Sequence, residues 1–346
     1  MCIAVAGLLF VASVSVAQAE TSAAATLANA PQTATAVPSA AGQTTLEKIR
    51  AKGFVQCGMA LRPGLASADA KGHWSGLNFE ICRAIAIAAL GKDARFAIHQ
   101  YDSANNYDPL RKGDDDVAFL TYPEIAAQKL TGQVLPGLPV FIETHDLLVA
   151  VDSPVKHAAE LNGAAMCFIM ETAPEDSLEA WAGENKITLI RLAFRETDEM
   201  FDAYAVQRCK SVIGESTELA AQRLHGGVNH LKSRFLPEHL ASFPILAATP
   251  LKADSQWAAI VDWTLRTLMV ADAKETYYRA NGLRALEIDG ESLGLAKDWQ
   301  KVLVEKVGSY SAIFDRNLGA GSPLKLDPGL NAPAVDGHIL LSYPRQ

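Results

Sequence analysis

The sequence predicts an α/β protein built as two similar lobes, and three observations carry that prediction. Short apolar runs alternate with amphipathic segments of helical length, the wiring of a parallel sheet with crossover helices. The same alternation starts again in the second half of the chain. Once the first residues are set aside, four cysteines remain, Cys57 and Cys82 in one half and Cys167 and Cys209 in the other. A chain of 346 residues with 49% hydrophobic content also exceeds one ordinary core, which favours two.

The elements follow in order. Ile3 to Val16 is an unbroken run of apolar and small residues, and Ala17-Gln18-Ala19 after it has the form a signal peptidase accepts. Residues 1–19 are therefore expected to be an export signal, although no Lys or Arg precedes the run. Cys2 stands before the run rather than after it, which does not fit a lipoprotein cleavage site. Residues 20–43 are rich in Ala, Thr, Ser and Pro and read as a flexible tether, because they cannot bury enough apolar area to offset their ordering entropy. Thr44-Thr45-Leu46-Glu47 then forms a capping box that opens a helix through Lys52, and Gly53 stops it.

The first round continues as strand Phe54 to Met59, helix Leu77 to Leu90, strand Arg95 to His99 and strand Asp116 to Leu120. The second reads as strand Ala164 to Met170, helix Pro174 to Asn185, strand Thr188 to Leu192, helix Thr197 to Ala205 and strand Ser211 to Gly214. In the oxidising compartment that an export signal implies, an even number of cysteines reads as disulfides. Three pairings are possible. Cys57 with Cys82 and Cys167 with Cys209 are preferred, since each closes a modest loop inside one half.

Several function classes are disfavoured. A net charge of −8 with no basic stripe argues against a nucleic-acid partner. Neither an HExxH nor a P-loop motif is present, and neither an enzyme nor a cofactor is expected. His225, His230 and His239 lie close in sequence but match no metal-ligand spacing.

Lys48 to Met59, then Gly72-His73-Trp74-Ser75-Gly76-Leu77 and Phe79 to Ala86, resembles the first lobe of the general L-amino-acid-binding proteins of ABC importers, which are class II periplasmic binding proteins of solute-binding protein family 3. Val307-Gly308-Ser309-Tyr310, Ile313 to Asn317 and Gly319 to Lys325 resemble that family's C-terminal signature, so the similarity extends from Leu46 to Arg345. It implies a bilobal fold with lobe one at 44–147, lobe two at 148–244, and a return to lobe one with a C-terminal extension at 245–346. His145 to Val151 and Phe243 to Thr249 would form a two-strand hinge, and a small-molecule ligand would bind in the cleft. The resemblance also implies a periplasmic monomer, with an ABC permease as partner.

Relatives grip the ligand's α-carboxylate with an Arg, through two parallel charge-assisted hydrogen bonds. The corresponding position here is Gln128, with Lys129 beside it, and the family's threonine-rich stretch upstream becomes Thr121-Tyr122-Pro123-Glu124. Tyr122 borders that stretch as a candidate contact. Leu65 stands where relatives usually carry a stacking aromatic, and Glu215 replaces the Asp that receives the α-ammonium. The loop after Cys167 reads Met170 to Glu175, with Thr172 as the candidate cap of a helix N-terminus and Glu171 and Glu175 as competing anions. These changes lead to the expectation of a ligand specificity altered from ordinary L-amino acids, towards a cationic or neutral polar molecule. The alternative is an accessory or sensor protein of this fold that interacts with another periplasmic protein, such as a quinoprotein dehydrogenase.

Overall fold

The computed structural model describes residues 42–101, 107–224, 232–272 and 289–332. The expected export signal, the tether as far as residue 41, and His225 and His230 lie outside them. The folded body opens with the capping box. Thr44 Oγ1 accepts from the Glu47 amide at 3.2 Å, and the Glu47 carboxylate accepts from the Thr44 amide at 2.8 Å. Helix α1 then runs Thr45–Lys52, and Gly53, in the left-handed region at φ 78, ends it.

The first round comprises β1 (Val55–Ala60), the short strands β2 (Ser67–Ala68) and β3 (Trp74–Ser75), α2 (Leu77–Leu90), β4 (Phe96–Tyr101), α3 (Asp108–Lys112), β5 (Val117–Thr121) and α4 (Tyr122–Ala127). Strand β6 (Val134–Ala150) leads into the second round: β7 (Ala165–Ile169), α5 (Ala173–Glu184), β8 (Ile190–Phe194), α6 (Thr197–Ala205), β9 (Ser211–Glu215) and α7 (Ser216–Gln222). Strand β10 (Ser233–Pro250) returns, followed by α8 (Ser255–Val270), α9 (Trp299–Val307) and α10 (Tyr310–Asn317).

Eight strands form one sheet in the order β4-β1-β5-β10-β6-β9-β7-β8, while β2 pairs with β3 alone. The two long central strands extend well beyond the apolar stretches His145 to Val151 and Phe243 to Thr249 that the sequence marks. Their outer portions are only half-buried, so backbone pairing rather than side-chain burial defines them there. Pro136 and Pro139 have no N–H to give the ladder, and they fall where the register between β6 and β10 slips.

Apolar side chains fill both faces. Beside β1 and β5, Met59, Ile81, Ile85, Trp257, Leu265, Leu303 and Phe314 belong to the largest core, which joins α2, α8, α9 and α10. Tyr101, Leu110, Leu120, Ile125 and Leu130 form a smaller core on the β4–β5–β10 part of the sheet. Two further cores contain Phe168, Leu178 and Ile213 in one and Met200, Tyr204 and Val212 in the other. The buried Trp257 and Tyr310 place their polar ends on main-chain oxygens, the indole on Asp116 and the hydroxyl on Val140.

The disulfides are Cys57–Cys82, which ties β1 to α2, and Cys167–Cys209, which ties β7 to the start of β9. Each lies within one round, as the spacing predicts. The second closes a separation of 42 residues. Replacing Cys167 and Cys209 together by Ala is expected to lower the unfolding free energy by about 4 kcal/mol through the freed unfolded chain. Urea denaturation measures it; a loss below about 0.5 kcal/mol would remove the bridge from the account of stability.

Candidate ligand-binding site

Strand directions decide where a site can form. Strand β10 is antiparallel to both β5 and β6, and β6 is antiparallel to β9, so β5 and β9 run in opposite directions. Their carboxyl ends face each other. Thr121, the last residue of β5, pairs with Ile245, while Glu215, the last of β9, pairs with His145, which lies opposite Ala241. The pair Glu143–Phe243 lies between these ends. Open α/β sheets hold ligands outside the carboxyl ends of their strands, so the loops after β1, β5, β7 and β9 are the relevant ones.

The loop after β1 delivers a residue that the sequence reading missed. Arg62 donates its amide to Ala66 O and accepts from the Ala66 amide, both at 2.9 Å, so Pro63 and Gly64 turn the chain back on itself. Gly64 adopts φ 70, where a Cβ would also lie 2.4 Å from Leu318 Cδ2. From this fixed base the guanidinium reaches Glu124 at 3.0 Å and both oxygens of Glu215 at 3.4 Å. Burial acts to lower the Arg62 pKa, but the charges of Glu215, Glu124 and Glu143 outweigh it and hold the group above its ordinary value. A signal was present in the sequence: Arg62 is the only charged residue between Lys52 and Asp69.

Glu124 is held from several sides. One carboxylate oxygen accepts from Arg62 and from the Tyr107 hydroxyl, each at 3.0 Å. The other accepts from the Thr121 amide at 2.7 Å and the Thr121 hydroxyl at 2.9 Å, completing the capping box of α4.

The remaining candidates of the first round are placed as follows. Gln128 is the C-cap of α4, at the far end of that helix from Thr121. Lys129 follows at φ 54, with its amide on Ala126 O at 3.1 Å and the next amide, Leu130, on Ile125 O at 2.9 Å. This is a Schellman termination, and Ile125 and Leu130 share a core beneath it. Arg62, rather than Lys129, is thus the cation that meets Glu124 and Glu215. Leu65 is wholly buried in the main core, where it packs the interior. Tyr122 begins α4 with half its surface exposed.

In the second round, Thr172 occupies the N-cap position of α5 without capping it, because its hydroxyl donates back to Ile169 O at 2.6 Å. The Glu171 amide is taken by Glu175 at 2.6 Å, and Glu175 also pairs with Arg191. Glu143 is fully buried and accepts from the Ser216 hydroxyl, the Thr217 hydroxyl at 2.7 Å and the Thr217 amide at 3.3 Å, all from α7. Burial first, and the Glu215 charge second, push its pKa up to about 7 against the opposing bonds from Ser216 and Thr217. Burial likewise raises Glu215, with Glu124 and Glu218 adding to the effect and Arg62 opposing it. His239 pairs with Asp146 at 2.7 Å. Among the described residues, no group of three or more His, Cys, Asp or Glu is placed to hold a metal ion, and no helix is long and apolar enough to cross a membrane.

Two predictions follow from these local structures. Lys129→Gly removes the cost of a side chain in the left-handed region and should raise stability by about 0.5–1 kcal/mol in denaturant unfolding; a loss of stability would contradict the termination described. Glu143 has a raised folded pKa, so between 4.5 and about 7 the native state binds more protons than the unfolded one, and this group's contribution to stability falls as pH rises. Glu143→Gln should therefore gain on the unmodified protein by on the order of 2 kcal/mol between about pH 5 and about pH 8, and parallel pH–stability curves would refute the assignment.

No protein-family model matches the chain. It is 32% identical over 325 residues to the general L-amino acid-binding periplasmic protein AapJ of Rhizobium johnstonii, covering 88% of this chain and 94% of that protein. The putative amino-acid ABC transporter-binding protein YhdW of Escherichia coli K12 is 28% identical over 347 residues, covering 92% and 98%. Among solved structures, an ABC transporter periplasmic binding protein from Brucella ovis with glutathione bound superposes with a TM-score of 0.64 at 26% identity, covering 84% of this chain and 95% of that one. The second substrate-binding domain of a putative amino acid ABC transporter from Streptococcus pneumoniae, at 14% identity and a TM-score of 0.51, shares the fold. The α/β sheet described above is thus the class II periplasmic binding-protein fold, and the chain belongs to the periplasmic amino-acid-binding proteins of ABC transporters, a family of receptors rather than enzymes.

Proposed function

We propose that the protein is the receptor of an ABC-type importer whose ligand specificity has moved away from ordinary L-amino acids. In this reading residues 44–147 together with 245–346 form one lobe, 148–244 form the other, and β6 and β10 are the hinge between them. A small polar ligand binds where the ends of β5 and β9 face each other. Glu215 receives its cationic group, Tyr122 and Thr172 border the opening, and an ABC permease is the partner of the monomeric receptor.

Family membership supports the importer role, since the relatives carry amino-acid receptor names over most of their length. The altered specificity rests on one observation. Glu124 itself takes the amide and hydroxyl donors at the start of α4, and Gln128 at the end of that helix brings no charge. The charge balance supports a cation over a zwitterion: among the described residues a single guanidinium, Arg62, faces Glu124 and Glu215, with Glu143 close behind. A ligand carboxylate there would meet repulsion and a desolvation cost of several kcal/mol.

Thermal-shift measurements on the unmodified protein test this. Binding to the native state alone adds about 2.7 kcal/mol at a hundredfold excess of ligand over Kd. Carboxylate-free amines such as agmatine and putrescine should raise Tm, whereas the common L-amino acids should not. Micromolar binding of a common L-amino acid would defeat the altered specificity, and silence from every amine would defeat the charge argument.

A further inference from the structure

The surroundings of Glu124 form a complete carboxylate-binding set. Its two oxygens accept from the Thr121 amide, the Thr121 hydroxyl, the Tyr107 hydroxyl and Arg62, at 2.7 to 3.0 Å. Thr121 and Tyr107 are themselves buried, so these donors face few competitors from solvent. The same guanidinium turns its other amino group to Glu215, an anion carried by β9 on the opposite side of the facing strand ends. A carboxylate bound by an Arg, a backbone amide and two hydroxyls, joined to a cation that rests on an acidic side chain, is the arrangement a bound amino acid would present. Here the carboxylate comes from the chain itself.

We propose that Glu124 is a built-in occupant of the amino-acid subsite, its carboxylate standing in the place of a ligand carboxylate on Arg62, Tyr107 and Thr121. This rests on the reading that the facing ends of β5 and β9 are the ligand site. Glu124 is the specificity-determining residue: a zwitterion must displace a tethered carboxylate from four partners, and tethered groups compete at effective concentrations on the order of millimolar or above. A ligand without a carboxylate leaves Glu124 in place and needs only a share of Glu215. Removing the Glu124 charge leaves Arg62 against Glu215, a neutral pair that matches a neutral zwitterion. The freed Thr121, Tyr107 and Arg62 donors then await its carboxylate, and Glu215 its ammonium.

The test is titration calorimetry on the full chain with L-glutamine as the probe, comparing the unmodified protein with Glu124→Ala and Glu124→Gln. The occupant predicts weak or no binding to the unmodified protein and a gain of at least about tenfold in affinity in the variants, equivalent to about 1.4 kcal/mol. Adding Arg62→Met to Glu124→Ala should abolish that gain. Glu124→Gln keeps the helix cap and nearly the same volume, so it decides the matter if the Ala variant loses its fold. Folded variants that bind L-glutamine no better than the unmodified protein overturn the occupant, as does a gain that survives loss of Arg62. Tight binding of L-glutamine by the unmodified protein overturns the occupant and the altered specificity together. Agmatine on the unmodified protein separates the two ideas: if it fails while the variants gain L-glutamine, the occupant stands and only the cationic-ligand reading falls.

Discussion

The antiparallel ladder between β6 and β10 is the constraint on which the rest of the structure depends. It runs from Val134–Pro250 at one end to Ala150–Ser233 at the other, and every other strand of the sheet attaches to one or other side of it. Because β5 attaches to β10 and β9 to β6, the two rounds of the chain are forced to point their strand ends at each other. The site is a consequence of that geometry. Its members come from segments far apart in sequence, and only the ladder register brings Thr121, Glu143 and Glu215 into one neighbourhood.

Electrostatics at the meeting point explains why the arrangement is specific. Three carboxylates around one guanidinium would be costly if all were charged, dry and otherwise unsupported. Each is treated differently. Glu124 is saturated with donors and Glu215 keeps contact with solvent, whereas Glu143 is sealed behind α7 and holds its proton up to about 7. Arg62 is thus shared between the two carboxylates it touches, which leaves one negative charge over, while the third relies on hydroxyl and amide donors from Ser216 and Thr217. The worth of such an ion-pair cluster lies less in global stability than in fixing which charges a ligand meets.

Much of the fold was legible in the sequence because local rules and tertiary packing agree there. The Thr44 capping box, the bounds of α2 at Leu77 and Leu90, and both disulfide pairs follow from capping chemistry, helical periodicity and compartment. The long strands were only half legible, because their outer residues are held by backbone bonds that leave no apolar pattern. The site was the least legible. Leu65 is drawn inward by the same turn that sends Arg62 outward, and the pairing of Arg62 with Ala66 has no signature beyond a lone charge beside Pro63-Gly64. Lys129 reads as a cation near a site, yet its position is set by helix termination. Alignment by residue type places side chains in order along the chain, whereas a binding site is assembled across strands.

The asymmetry of the Arg62 contacts has a mechanical meaning. Its bond to Glu124 joins two loops carried by neighbouring parallel strands, β1 and β5, whose register is fixed by direct pairing. Its contact with Glu215 crosses to the other side of the ladder and is longer, at 3.4 Å against 3.0 Å. Any rotation of the two halves about β6 and β10 would therefore part Arg62 from Glu215 while leaving it on Glu124, and would lift Ala220 and Ala221 of α7 from the core they share with α2 and α8. In the proposed hinge, opening would expose Glu215 without its partner and closing would cover it again. On the proposed reading of β6 and β10 as a hinge, a cation that fills that place on closure, from the chain or from a ligand, would contribute directly to the balance between open and closed forms, which would tie ligand choice to lobe closure through one guanidinium–carboxylate contact.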